Sequence, residues 1–275
     1  MVILTSEFHP DSYVVAEVRA SPNYGERRAG SNIDMLVLHY TGMEDAERAV
    51  KHLCTPGTDV SSHYVVLENG HIIQCVPESL RAWHAGQSSW AGETDINSCS
   101  IGIEIANPGH DYGYPAFPLR QIAAVTALCR GIFTRYHIPA DRVLAHSDVA
   151  PARKRDPGEK FPWRTLHASA IGLWVKPAPI VPGRIFVLGD RDSSIDELQT
   201  LLGKFGYAIT PTGYLDGTTR DAVAAFQRHF RQEKVDGVFD ISTLETLRSL
   251  VEVQERIRAT ETAMQKVPNT RTAPT

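Results

Sequence analysis

The 275-residue chain has no apolar run approaching the roughly 20 residues that a membrane-spanning helix requires. It also has no strongly basic run. Its 28 Lys and Arg face 32 Asp and Glu, and a formal net charge of −4 gives no electrostatic footing for nucleic acid. No secretory leader is legible: Met1-Val2-Ile3-Leu4 is followed at once by Thr5, Ser6 and Glu7. An export signal needs a basic start and an apolar stretch of roughly 7–15 residues. The chain as written therefore reads as cytoplasmic, with a periplasmic or envelope-associated placement as the alternative. Cysteine is scarce, and Cys54, Cys75, Cys99 and Cys129 form no C-x-x-C pair. A thiolate zinc site or redox motif is not expected, and buried free thiols are the plain reading. No G-x-S-x-G elbow for a serine nucleophile is present.

What is present alternates strand and helix signals. Residues 33–38, IDMLVL, form a nearly continuous apolar run, as for a strand buried on both faces, and His39 follows directly. Residues 44–53 read as a helix. Two β-prone runs, 62–67 and 71–76, flank Glu68-Asn69-Gly70, a hairpin signal. A long loop over 79–100 precedes IGIEI at 101–105, whose isoleucines share one face and leave Glu104 on the other. Over 119–136, Ile122, Val125, Leu128, Cys129, Ile132, Phe133 and Tyr136 recur at helical spacing. Val143-Leu144-Ala145 reads as a short strand with His146 at its end, followed by a Pro-rich, charged loop to Trp163. The pattern predicts an α/β domain, a mixed central sheet flanked by helices, over residues 1–175.

Proline concentrates in residues 176–189, which read as a linker. Beyond it, over 190–252, Ser194, Thr218 and Ser242 each stand three residues before an acid and precede a short amphipathic segment, predicting a small all-α, three-helix domain. The stretch from Gly213 aligns with that from Gly237, an internal repeat of 24 residues. Residues 253–275 read as a polar, frayed tail.

Among possible chemical groups, His39 and His146 at strand ends and Asp156 in the following loop are one set. Two imidazoles and a carboxylate with an open fourth position suit catalytic zinc better than magnesium or calcium. Spacing alone leaves this open, since the chain has 11 histidines and a structural histidine is the commoner case. Glu104 is either on a solvated sheet face or a general base in a cleft. Lys154 is either an exposed loop lysine or an oxyanion stabiliser. A cysteine–histidine dyad also stays open.

The stretches VLHYTGM, SSHYVVLENG, RAWHAG, SCSIGIEIANPG and LAHSDVAPARKRDPGEKFPW resemble the zinc-dependent N-acetylmuramoyl-L-alanine amidases. That group includes AmpD, AmiD, the phage lysozyme-type amidases and the peptidoglycan recognition proteins. IDELQTLLGKFGY, DGTTRDAVAAFQ and VDGVFDISTLETL resemble a three-helix peptidoglycan-binding module. The resemblance implies one zinc per chain on His39, His146 and Asp156, with Glu104 as the catalytic acid and Lys154 beside the third ligand. It implies that His84 lines the substrate cleft and that Ser62 and His63 serve structure. The implied partner is peptidoglycan or its muropeptides, and the implied reaction is cleavage of the amide between muramic acid and L-alanine. A non-catalytic peptidoglycan-binding or sensing protein is the alternative. Oligomeric state is not legible.

Overall fold

The computed structural model describes residues 8–265; residues 1–7, on which the reading of no secretory leader falls, and the end of the expected tail at 266–275 lie outside the described residues. Along the first half the elements are β1 (Glu17–Val18), β2 (Tyr24–Gly25), β3 (Met35–Tyr40), α1 (Ala46–Leu53), β4 (Tyr64–Val66), β5 (Ile72–Gln74) and β6 (Arg81–Ala82). They continue with α2 (Ile96–Cys99), β7 (Ser100–Ile105), α3 (Leu119–Arg135), β8 (Val143–Ala145), α4 (His146–Val149) and α5 (Trp163–His167). The remainder holds β9 (Ile185–Phe186), α6 (Ser193–Phe205), α7 (Gly217–Phe230), β10 (Phe239–Asp240) and α8 (Ile241–Gln265).

Six strands form one sheet in the order β1-β5-β4-β7-β3-β8. Only the β4–β5 hairpin is antiparallel; the other neighbours run parallel, so the sheet is mixed. Period-two alternation sorts its side chains. Leu36, Leu38, Ile101, Ile103 and Ile105 face one way and pack under Ile122, Val125, Leu128 and Ile132 of α3. The opposite face carries two separate patches. Val65 and Ile73 lie with Val50 and Leu53 of α1, while Met35, Val37 and Leu144 join the core of the helical module. Between these patches, β3 and β7 present His39 and Glu104, which are direct register partners.

In the module, α6, α7 and α8 bury Leu198, Leu202, Phe226, Phe230, Leu247 and Leu250 against one another. The expected Ser/Thr caps are displaced by two residues. Asp192, Asp216 and Asp240 accept from the backbone N–H of Ser194, Thr219 and Thr243 at 2.9, 2.7 and 2.8 Å. A carboxylate forms a charge-assisted bond and complements the positive end of the helix dipole, which favours Asp over Ser or Thr at the cap. The three caps recur at the interval of the internal repeat, so a third copy begins at Gly189, with Asp192 as its cap.

Two boundary expectations change. The proline-rich stretch is docked: β9 pairs antiparallel with β10, and Ala178 exchanges hydrogen bonds with Thr246 and Ser242. Nor does the chain fray after Val253, because α8 continues to Gln265. Gln254 donates to Asp141 at 2.8 Å, Arg258 pairs with the same carboxylate at 2.7 Å, and Ile257 packs on the core. Those anchors lie more than a hundred residues upstream and leave no local pattern. Among the described residues no helix is long and apolar enough to cross a membrane.

Candidate metal centre and active site

β3 delivers His39 next to the end of the strand. Its neighbour β8 pairs Ala145 with Leu38, so His146, the first residue of α4, emerges beside His39. Asp156 arrives from the loop and is tied down locally. Its carbonyl accepts from Ser147 N–H at 3.0 Å, and the next carbonyl, of Pro157, accepts from Tyr114 Oη at 2.7 Å. Gly158 permits this contact, since it has φ +84° and a Cβ there would lie 2.3 Å from Tyr114 Oη.

The three candidate ligands converge. His39 Nδ1 and His146 Nδ1 are 2.8 Å apart, and Asp156 Oδ2 lies 3.2 and 3.0 Å from them. All three residues are buried, and they form a group able to hold a metal ion. The surrounding hydrogen bonds fix where the protons are. Ser100 Oγ donates to the Ile96 carbonyl at 2.5 Å and therefore accepts from His84 Nε2 at 3.1 Å. His84 Nδ1 then accepts from His39 Nε2 at 3.1 Å, which leaves His39 Nδ1 without a proton. On the other side His146 Nε2 donates to the Ala85 carbonyl at 3.0 Å, so its Nδ1 is also bare. Two lone pairs and a carboxylate oxygen thus face one point with no proton among them. A cation satisfies that arrangement, and outer partners that fix ring tautomers are the ordinary support of such a site.

The electrostatics agree. Burial, then the neighbouring His146, pushes the His39 imidazole down to about 4. Burial would raise the Asp156 carboxyl, but a proton entering the cluster is taken by His146 or His39, which holds the carboxyl well below the usual carboxylate range. Both groups are in the form a ligand needs.

Glu104 projects from the same face as His39, and its Oε2 is sealed from solvent with no hydrogen-bond partner. Burial, reinforced by Asp156 and opposed by Lys154, pushes its carboxyl well above the ordinary range. Lys154, His146, His84, Trp83, Asn97 and Arg153 line an adjacent cavity of about 440 Å³. His84 is among the residues lining this cavity, and it also lies behind His39, pressed flat on β7: a Cβ at Gly102 would lie 2.4 Å from its ring. Ser62 and His63 grip the two backbone sides of the same Gly102, by Ser62 Oγ to its carbonyl (2.8 Å) and its N–H to His63 Nδ1 (3.0 Å).

Ser100, Asn97 and Tyr114 were not singled out from the sequence. Ser100 was reachable, since alternation places it on the Glu104 face; Asn97, which accepts from His84 N and Ala85 N, and Tyr114 act across the fold. The cysteines are unpaired, and none lines the cavity. Burial pushes Cys99 and Cys129 up to about 11 and about 12, so neither is an activated thiolate.

Residues 29–159 match the family model for N-acetylmuramoyl-L-alanine amidase, and residues 191–247 match one for a peptidoglycan binding domain. The chain is 38% identical over 239 residues to N-acetylmuramoyl-L-alanine amidase AmiD of Escherichia coli K12, spanning 80% of this chain and 83% of that one. It is 35% identical to 1,6-anhydro-N-acetylmuramyl-L-alanine amidase AmpD of Citrobacter freundii, over 56% of this chain and 90% of that one. In solved structures, E. coli AmiD bound to anhydro-N-acetylmuramic acid-L-Ala-D-gamma-Glu-L-Lys superimposes with a TM-score of 0.68 at 33% identity, covering 84% of this chain and 98% of that one. AmpDh3 of Pseudomonas aeruginosa gives a TM-score of 0.69 at 32% identity, covering 86% and 96%. With sequence, fold and catalytic-domain architecture in accord, the chain belongs to the N-acetylmuramoyl-L-alanine amidase family.

Proposed function

We propose that this amidase cleaves the bond between the lactyl carbonyl of N-acetylmuramic acid, or of its anhydro form, and the L-alanine nitrogen of a stem peptide, using one zinc ion held by His39, His146 and Asp156. The observation that carries the proposal is the meeting of three candidate ligand atoms beside a carboxylate with one buried, unpartnered oxygen. Two nitrogens and one oxygen suit zinc, and they leave a further position for substrate or water. A zinc ion bound there supplies Lewis acidity toward water and the scissile carbonyl.

The chain's own groups do the rest. Glu104 accepts a proton from the attacking water and returns it to the leaving amine; its raised carboxyl pKa makes it a stronger acceptor than a solvated glutamate. Lys154 places a positive charge beside the oxyanion that develops on the carbonyl. Ser100 and His84 keep His39 in the tautomer that leaves its Nδ1 lone pair free. The module over 190–252 holds the enzyme near peptidoglycan and raises its effective concentration there. Similarity over both domains to proteins solved with anhydro-muramyl peptides supports acceptance of the anhydro form.

The test is Glu104→Gln. It is expected to lose roughly 10²- to 10⁴-fold in stem-peptide release while still binding one zinc. Near-normal turnover would remove Glu104 from the chemistry. Relative rates on soluble anhydro-muropeptides and on sacculi then assign the natural substrate. A preference for the soluble form fits a cytoplasmic enzyme, and a preference for polymer fits the envelope.

A further inference from the structure

We propose that the helical module is a working part of the catalytic unit: through Tyr207 and His229 it holds Asp148, and Asp148 sets the turn that presents His146. Asp148 is 1% exposed and its carboxylate takes three donors. One comes from its own turn, Ala145 N–H to Oδ2 at 2.8 Å, at the residue that ends β8 and immediately precedes His146. The other two come from the module, Tyr207 Oη to Oδ1 at 2.7 Å and His229 Nδ1 to Oδ2 at 2.6 Å.

The far end of the ligand-bearing segment is held by the same elements. His229 is sandwiched between Trp163 (3.7 Å between ring centroids) and Phe230 (3.8 Å), and Gln232 donates to the Phe161 carbonyl at 2.8 Å. The module therefore clasps residues 145–148 on one side and 161–163 on the other, with Asp156 between them. Tyr207 is itself fixed from the catalytic side, where Trp90 packs edge-on against Phe205 and Tyr207 and Ala91 N–H donates to the Gly206 carbonyl at 2.7 Å.

A buried carboxylate needs all of its donors, and the segment's internal bonds, among them Ser147 N–H to the Asp156 carbonyl, leave Asp148 Oδ1 to Tyr207 of the module. Releasing the clasp gives the His146 turn freedom that the metal site cannot tolerate, because three ligands must coincide within tenths of an ångström. In this account Asp148, Tyr207 and His229 are positioning residues and touch no substrate. The inference rests on the reading of His146 as a ligand, so its test includes a readout that needs no metal.

The experiment compares full-length wild type with Tyr207→Phe, which removes one hydroxyl, and His229→Gln. Leu198→Ala, a core change elsewhere in the module, is the control. Amide hydrogen exchange of residues 143–163 is measured on metal-free protein, zinc affinity by chelator competition, and kcat and KM on a muropeptide. Tyr207→Phe is expected to speed exchange in that segment about tenfold, to weaken zinc about tenfold, and to lower kcat with KM within about twofold. Leu198→Ala should lower Tm at least as far while leaving exchange in 143–163 and zinc affinity unchanged. If both clasp variants behave like the control, the module only stabilises the protein and the proposal is overturned. Wild type without zinc affinity would contradict the metal reading, while the exchange comparison still decides the clasp.

Discussion

The two halves of the candidate site are held in different ways. His39 and Glu104 ride on adjacent parallel strands, where a ladder running from Met35–Ser100 to Tyr40–Ile105 fixes their register. His146 and Asp156 flank an irregular stretch whose geometry comes from distant groups: Tyr114, Ala85, Tyr207, His229 and Gln232. The first half is specified by local pattern and backbone pairing, the second by tertiary contacts. A site built this way has a rigid base and an adjustable jaw. Perturbing the jaw should change metal retention before it changes the fold, and crowding the base should cost stability while saturating metal still binds.

The largest effect is expected in the jaw. Asp156→Ala removes the one anionic candidate ligand and should abolish stem-peptide release, by more than about 10³-fold, together with stoichiometric zinc. The sheet and α3 core should survive, because Asp156 contributes nothing to that core; far-UV circular dichroism and elemental analysis on the same sample check both statements. Loss of cooperative folding would show that the segment is structural first.

In the base, Gly102→Ala pushes a methyl into the His84 ring, and neither Ser62 nor His63 leaves β7 room to move. Overpacking of this kind costs about 1–3 kcal/mol. Urea unfolding should record that loss, with zinc stoichiometry kept at saturating metal. Ser100→Ala should be milder still in stability but frees the His84 tautomer, and a fall in zinc affinity of about tenfold is expected by chelator competition. An unchanged affinity would show that the tautomer relay from Ile96 to His39 has no hold on the metal.

The base should also carry a pH signature. Burial, with Arg27 beside it, holds the His63 imidazole down to about 3 from its ordinary 6.5. The unfolded chain therefore takes up a proton that the native state refuses. The resulting contribution to stability is complete above pH 6.5 and is lost as the pH falls toward 3. Between pH 7 and 5 the loss from this one group is about 2 kcal/mol. Urea midpoints of the metal-free protein at the two pH values measure it, and His39 adds in the same direction. Equal midpoints would mean that the β7 brace is not buried in its neutral form.

What was legible follows the same division. IDMLVL and IGIEI revealed strands, faces and the placement of His39 and Glu104, because alternation and apolar runs are local. The family stretches carry the candidate ligand triad across a loop that periodicity cannot read. The docked proline stretch and the continuation of α8 were misread, since Thr246 and Asp141 secure them from far along the chain. Asp148 has no local signal: an aspartate beside a histidine gives no sign that a tyrosine and a histidine, 59 and 81 residues away, will meet it.

Whether His39, His146 and Asp156 hold one catalytic zinc is decided by titrating zinc into chelator-stripped protein while following release of stem peptide from an anhydro-muropeptide. No release is expected without metal, and full recovery is expected at one equivalent per chain. Release that survives stripping, or that never returns with zinc, would contradict that assignment.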